Sequence, residues 1–272
     1  MLSQNSLYLS EQFNNSSMLR RFFWCFCIAF FLFSCTDEKA ASSPLVSFER
    51  RSLLKGAEKD CDSLAQDCSS ISLKYLSAVG TEERVRNINT SLFLHLRRLV
   101  LPEEPGMETD YDKLARQFLA QAEKATGEFP GEAPWRVTIE EKLYFRQEGL
   151  ISIGIEAFVF TGGAHGYSSL SFLNFDPATG DLLSPEDIFL SGFTELAETY
   201  FRQKWDIPLK GNINSTGFRF ENDRFRLPSN LGFDSENVVL VYDASRIGPK
   251  PSGQITVEIP RQQAWPCLKL DL

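Results

Sequence analysis

The alternation of apolar and polar residues predicts both strands and helices in this chain. A period of two predicts strands at residues 69–77, 137–145, 150–160, 167–175, 218–227, 238–242 and 255–259. Apolar residues at helical spacing predict helices at 81–99, 110–125 and 194–204, with a shorter helix after Ser184. Strands and helices come in blocks rather than in βαβ units. The predicted fold class is therefore α+β, a mainly antiparallel sheet with helices packed on it, in two intertwined subdomains.

The N-terminal part carries the pattern of an export signal. Residues 22–33 are an unbroken apolar run that follows a pair of arginines. The run is shorter than the about 20 residues that a membrane-spanning helix needs, and its length suits the core of a signal peptide. We predict a signal peptide over residues 1–34, with Met18 as a candidate for the true start. An uncleaved membrane anchor or a buried helix is the alternative.

The end of the apolar run predicts a lipid anchor. Residues 32–35 read Leu-Phe-Ser-Cys, which resembles the bacterial lipobox, and this resemblance implies lipidation of Cys35. The small and polar residues that follow are typical of a tether, so residues 35–60 are predicted to be lipid anchor and linker. The predicted location is the bacterial cell envelope, with the lipid at Cys35 in the outer membrane and the protein on its periplasmic or surface face.

Three further cysteines, Cys61, Cys68 and Cys267, would lie in this oxidising compartment. One pair and one free thiol is the simplest arrangement. A Cys61–Cys68 disulfide is one candidate, and pairing of either residue with Cys267 is the other; the sequence does not decide between them. The spacing matches no zinc pattern, so neither a metal site nor a cofactor is predicted.

The charge excludes some classes of function. The chain has 28 basic and 36 acidic residues, a net charge of −8, which argues against nucleic acid as a partner. With only two histidines it cannot build a site of three imidazoles. An acidic surface favours the approach of a cationic protein.

His165 is the residue to weigh for catalysis, because it lies in the glycine-rich turn at 162–166. It could act as a general base if Glu156 or Asp176 oriented it, which would make the protein an envelope hydrolase. The competing interpretation is that the glycines adopt turn conformations and that the imidazole hydrogen-bonds the backbone. We favour the second, since the chain contains no G-x-S-x-G elbow, P-loop, H-E-x-x-H or dinucleotide motif. No catalytic residue is assigned, and the hydrolase stays the alternative.

Two other groups of residues are candidates, one for binding sugars and one for glycosidase catalysis. Tyr167, Tyr242 and Trp265 are predicted to lie near loops, where their rings could stack on the sugars of peptidoglycan. Glu140 and Glu141 are neighbours on a predicted strand, so their side chains point to opposite faces and cannot flank one glycosidic bond.

Residues 162–189, which read GGAHGYSSLSFLNFDPATGDLLSPEDIF, resemble the central signature of an envelope domain family. The family, here called RsiV-like, occurs at the C-terminus of the lysozyme-sensing anti-sigma-V factor and in peptidoglycan deacetylases of the PdaC type. The stretches FRFENDRFRLP and NVVLVYDASRIGPKPSGQITVEIP resemble its later elements. The resemblance implies an N-terminal α+β subdomain over residues 61–149 and a C-terminal RsiV-like subdomain over 150–272.

The chain also departs from that family. Residues 242–249 replace its usual tyrosine- and proline-rich segment, and nothing matches the metal motifs of a polysaccharide deacetylase. The resemblance therefore implies a non-catalytic binding or sensory module. Lysozyme-like muramidases and peptidoglycan are the partners it suggests, beside the membrane itself.

Overall fold

Five strands form the first sheet of the computed structural model, which describes residues 45–57, 68–102, 109–128, 131, 133–248, 253–270 and 272. In spatial order they are β1 (Ser47–Gly56), β2 (Ser70–Val79), β3 (Arg136–Arg146), β4 (Ile151–Phe160) and β5 (Tyr167–Phe175). Strands β2 and β3 are parallel, and the other neighbours are antiparallel. The predicted signal peptide, Met18, Cys35 and Cys61 lie outside the described residues.

Two helices connect β2 to β3 and cover one face of this sheet: α1 (Glu83–Val100) and α2 (Tyr111–Glu128). A parallel pair needs such a crossover, because a hairpin can join only antiparallel strands. Helix α1 buries Val85, Ile88, Leu92 and Leu96 at helical spacing, and these side chains pack with Ile71, Leu73, Val137 and Ile139 of the sheet. The apolar face predicted from the sequence is the face that builds this core.

The second half of the chain forms a smaller, three-stranded sheet in the order β6-β7-β8. Its elements are α3 (Pro185–Ile188), α4 (Gly192–Lys204), a 3₁₀ turn (Glu221–Asp223), β6 (Leu231–Phe233), β7 (Asn237–Asp243), α5 (Ala244–Ile247), β8 (Gln254–Pro260), α6 (Arg261–Ala264) and a 3₁₀ turn (Trp265–Cys267). Helix α3 begins with the predicted cap, in which Ser184 and Asp187 form a capping box ahead of Pro185. Phenylalanines dominate this second core, with Phe193, Phe201 and Phe233 fully buried.

Side-chain amides join the second sheet to β5. Asn230 accepts from the Phe172 N–H at 2.9 Å and donates to the Leu170 carbonyl at 2.9 Å. Gln254 accepts from the Leu170 N–H at 2.6 Å and donates to the same carbonyl at 3.0 Å. The two amides thus satisfy an edge that would otherwise need another strand. All the described residues belong to one compact unit.

The α+β class and the mainly antiparallel sheet are confirmed, but two local predictions are wrong. Residues 47–56, assigned to the linker, form the edge strand β1. Residues 218–227 form no strand, since Asn222 and Asp223 take left-handed conformations at φ 55° and 53°. The predicted subdomain boundary at 149–150 lies in the turn between β3 and β4, whose strands pair along their length, so the two predicted subdomains would share this hairpin. None of the described helices has the length and apolar composition to cross a membrane.

Candidate functional site

The structure does not assemble the hydrolase site considered for His165. Its side chain is exposed in the loop between β4 and β5 and makes no hydrogen bond or ion pair within the described part of the chain. The predicted bond from its imidazole to the backbone is therefore absent as well. The loop does use its glycines as expected, because Gly162 and Gly163 have φ of 90° and 84°, whereas Gly166 lies against the ring of Phe158.

The two carboxylates considered as partners of His165 are engaged elsewhere. Glu156 on β4 accepts from the Lys142 ammonium at 2.8 Å and from the Tyr144 hydroxyl at 2.9 Å. Asp176 caps the turn after β5 by accepting from the Ala178 N–H at 2.7 Å. Each carboxylate thus has a structural role in the fold.

The aromatic candidates for sugar binding fall into two groups. Tyr167 and Trp265 are about half exposed, at 47% and 50%. Tyr242, the penultimate residue of β7, is buried, with only 6% of its surface exposed. Its hydroxyl donates to the Arg226 carbonyl at 3.0 Å, and its ring packs against Phe201 and Phe220. Tyr242 is therefore a core residue, and its assignment as a surface contact is wrong.

The states of Cys68 and Cys267 exclude one of the two predicted disulfide pairings. Cys68 is disulfide-bonded, whereas Cys267 is a free thiol. A disulfide through Cys267 is thereby contradicted, and the partner of Cys68 lies outside the described residues. Cys61 as that partner remains a prediction. In the described ranges no group of three His, Cys, Asp or Glu side chains is arranged to hold a metal ion.

The face of the first sheet opposite the helices carries rows of polar and aromatic side chains. Pairing places Glu140 beside Glu156 and Thr138 beside Phe158 on this face. Glu140 is partly exposed here, while the neighbouring Glu141 points to the helix side and is buried, as the strand geometry predicted. We call this surface, defined by these residues with Lys142 and Tyr144, the open sheet face.

A cleft of about 470 Å³ lies where the open sheet face meets the second sheet. It is lined by Arg50, Lys142, Leu143, Tyr144, Asp234, Ser235, Glu236 and Asn237. Its floor is the ring of Tyr144, which contacts the backbone of Gly154 so closely that a Cβ there would lie 2.5 Å from the ring, and which packs edge-on against Phe172 at 5.5 Å. The glycine in β4 is thus what allows the tyrosine to lie across the sheet.

A β-bulge in β3 turns the side chain of Phe145 toward the second sheet. The pairing of β3 with β4 shifts between Leu143 and Phe145, so one extra residue is inserted there. A bulge of this kind changes the face to which the following side chains point. Phe145 consequently packs in the second core, with its ring 5.8 Å from Phe233.

The charges on the floor of the cleft compensate one another. The hydrogen bond between Lys142 and Glu156 raises the pKa of the ammonium and lowers that of the carboxyl. Burial and then the hydrogen bond to Glu156 raise the pKa of Tyr144. Because the side chains of Lys142 and Glu156 are 35% and 45% exposed, this ion pair contributes little to stability and serves mainly to fix positions.

The opposite wall is a rigid turn between β6 and β7. One carboxylate oxygen of Asp234 accepts from the backbone N–H groups of Glu236 and Asn237, at 2.7 and 2.6 Å. The Asp234 N–H donates to the Asn237 carbonyl at 2.9 Å, and the Arg261 N–H donates to the Glu236 carbonyl at 2.8 Å. The turn therefore holds the exposed Glu236 at the mouth of the cleft.

Sequence reasoning missed this cleft. Its walls come from β1, β3 and the β6–β7 turn, which are far apart in the chain. The alternation of Glu140, Lys142 and Tyr144 along β3 was a usable sign of a polar face. Arg50 gives no such sign, because the sequence predicts a linker where strand β1 lies.

Two family models match the chain in tandem. The model described as "Deacetylase PdaC" matches residues 63–168, and the model described as "Protein of unknown function (DUF3298)" matches residues 181–262. No curated protein is significantly similar.

Solved structures share the fold. A crystal structure of a DUF3298 family member from Bacteroides fragilis has a TM-score of 0.60 at 15% identity and covers 82% of this chain and 93% of its own. One from Pseudomonas aeruginosa has a TM-score of 0.58 at 21% identity and covers 84% of this chain and 96% of its own. The expected resemblance is confirmed, since residues 63–168 match the PdaC model and residues 181–262 match the DUF3298 model, which describes a protein of unknown function.

Proposed function

We propose that this protein is a lipid-anchored, non-catalytic binding module of the bacterial cell envelope that binds a lysozyme-like muramidase through its open sheet face. The observation that carries the proposal is the contrast between two regions. The open sheet face presents charged and aromatic groups in fixed positions, whereas Glu156 and Asp176 bond to groups other than His165.

Charge supports a cationic partner. The chain carries a net charge of −8, and the open sheet face includes the partly exposed carboxylates of Glu140 and Glu156. Complementary charge speeds encounter and fixes orientation more than it adds affinity. Binding to a cationic muramidase should therefore weaken as salt is raised.

Calorimetric titration with a c-type lysozyme tests this proposal. Saturable binding in the micromolar range is expected, and Glu140→Lys should weaken it by about tenfold. Glu123→Lys is the matched control, because it changes the net charge equally but lies on α2 behind the sheet. No binding at micromolar concentrations, or equal losses in the two variants, would remove the open sheet face as the muramidase site.

The lipid anchor is tested separately. Cys35→Ser should abolish incorporation of radiolabelled palmitate and release the protein from membranes into the soluble envelope fraction. A protein that stays in the membrane fraction after this substitution would instead carry an uncleaved anchor.

The half-exposed rings of Tyr167 and Trp265 favour peptidoglycan as a second candidate partner. Co-sedimentation with purified sacculi should then weaken in Tyr167→Ala and Trp265→Ala. Sedimentation unchanged by either substitution would exclude these two rings as the contact.

A further inference from the structure

The charged groups of the cleft are divided between its two walls. Arg50 and Lys142 lie on the wall formed by β1 and β3, and Asp234 and Glu236 lie on the turn between β6 and β7. A ligand that bridges these walls would meet positive charge at one end and negative charge at the other. The volume of about 470 Å³ lies in the range of small-molecule sites.

Only one charge on each wall is available to a ligand. Lys142 is occupied by Glu156, and Asp234 is occupied by the two backbone N–H groups of its own turn. Within the described residues, Arg50 has no carboxylate partner and Glu236 has no cationic partner. The next residue on β1, Arg51, pairs with Glu49 at 3.2 Å and is not among the residues that line the cleft.

The backbones that carry Arg50 and Glu236 are held in place by hydrogen bonds. Arg50 belongs to a strand that pairs with β2 over ten consecutive positions without a bulge. Glu236 belongs to the turn that Asp234, Asn237 and Arg261 fix by backbone hydrogen bonds. Preorganised groups lose less entropy when they bind, which favours a specific ligand over adventitious ions.

We propose that the cleft binds a short zwitterionic peptide, with its free carboxylate on the Arg50 guanidinium and its free ammonium on the Glu236 carboxylate. A guanidinium matches a carboxylate in a two-bond geometry, and the opposite carboxylate accepts from an ammonium. The ring of Tyr144, which also lines the cleft, offers the peptide an apolar surface. This site is additional to the binding of a muramidase and does not depend on it.

Calorimetric titration of the purified protein with three probes tests the assignment. L-alanyl-L-alanine carries both charges, its N-acetyl form lacks the ammonium, and its C-terminal amide lacks the carboxylate. The free dipeptide is expected to bind with a dissociation constant on the order of 1 mM, and each blocked form about tenfold or more weakly.

Variants then assign each charge to its wall. Arg50→Gln should weaken the free dipeptide about tenfold and leave the amide form unchanged, because that form has no carboxylate to lose. Glu236→Gln should weaken the free dipeptide and leave the N-acetyl form unchanged. Arg50→Lys keeps the charge and should retain part of the affinity.

Matched controls are Arg51→Gln on the same strand and Glu123→Gln on α2, both of which should bind like the wild type. The proposal is overturned by absence of dipeptide binding at 10 mM, by blocked forms that bind as well as the free one, or by equal losses in the variants and their controls. A muramidase that fails to bind would leave the dipeptide result unaffected, so the two proposals fail separately.

Discussion

At the scale of single residues, Glu141 is the buried carboxyl that most affects stability. It is 3% exposed on the helix side of β3, where one carboxylate oxygen accepts from the Leu76 N–H at 2.8 Å and the other has no hydrogen-bond partner among the described residues. It takes over a backbone N–H of β2 just beyond the last β2–β3 pair, Lys74 with Glu140. Burial raises the pKa of Glu141 to about 7, and the bond from Leu76 opposes this only in part.

Glu141→Gln should therefore abolish a pH dependence of folding. The pKa is higher in the folded protein than its ordinary value of 4.5, so between these limits the folded state binds more protons than the unfolded one. Stability of the wild type should fall as pH rises from 4.5 to 7, by up to about 3 kcal/mol. The glutamine keeps an acceptor for Leu76 and should make the protein more stable at pH 8.

Urea unfolding at pH 5 and pH 8 measures this difference. Glu140→Gln is the control, since the neighbouring side chain is partly exposed and should change neither value by more than about 0.5 kcal/mol. A wild type equally stable at both pH values would contradict the expected cost of the buried charge.

Gly154 is the second residue at which a single substitution should change stability, because the Tyr144 ring lies against it. Gly154→Ala would place a methyl group against the Tyr144 ring and should destabilise the protein by about 1–3 kcal/mol through overpacking. In a Tyr144→Ala background the same change should cost much less, because the ring is gone. Denaturant unfolding of the four proteins in this cycle gives the coupling. Additive costs would show that the ring does not lie against Gly154.

The sequence predicts the burial of a residue correctly when its neighbours in space are also its neighbours in the chain, and not when they come from distant segments. The opposite orientations of Glu140 and Glu141 follow from strand geometry alone and were predicted correctly. Tyr242 could not be placed, because its burial depends on Phe201, Phe220 and Phe225, which come from other parts of the second core. The isolation of His165 likewise depends on which partners occupy Glu156.

At the scale of elements, two strand predictions failed for opposite reasons. Strand β1 has little apolar alternation, since an edge strand with most of its side chains exposed does not need it. Residues 218–227 alternate well, and Phe218, Phe220 and Phe225 are indeed buried. The backbone of Phe220 instead bonds to the Asn214 side chain, and the Arg219 N–H donates to the Ile247 carbonyl. In both segments the presence or absence of apolar alternation indicates whether side chains are buried, and it does not indicate whether the backbone pairs with another strand.

Deletion of residues 45–56 tests whether β1 belongs to the fold. Its removal would leave β2 as an unpaired edge and remove the ion pair between Lys55 and Asp112 of α2. A lower melting temperature and concentration-dependent self-association are expected, because an uncovered edge pairs with other chains. Differential scanning calorimetry and analytical ultracentrifugation measure the two effects. A shortened protein that stays monomeric with an unchanged melting temperature would make this segment a linker after all.

At the scale of the whole molecule, the two sheets are coupled through a few side chains. The amides of Asn230 and Gln254 bond to β5, and the Asn174 side chain donates to the Leu231 carbonyl at 2.8 Å. Phe172 adds an apolar contact with Val239 and Val241. The order of elements predicts two groups of strands. The hydrogen bonds that join them connect residues at least 57 positions apart, so no local pattern indicates them.

Replacing both amides should separate the unfolding of the two sheets. Asn230→Ala leaves the Phe172 N–H without its acceptor and costs about 1–3 kcal/mol, and Gln254→Ala does the same to Leu170. In the double variant, hydrogen exchange at Leu170 and Phe172 should accelerate strongly while the Leu73 amide in β2 keeps its protection, because β2 touches neither side chain. The single variants Asn230→Ala and Gln254→Ala are the controls, since each removes one of the two amides and leaves the other in place. Equal acceleration at all three amides would mean that the sheets unfold together and that the amides merely contribute to one global stability.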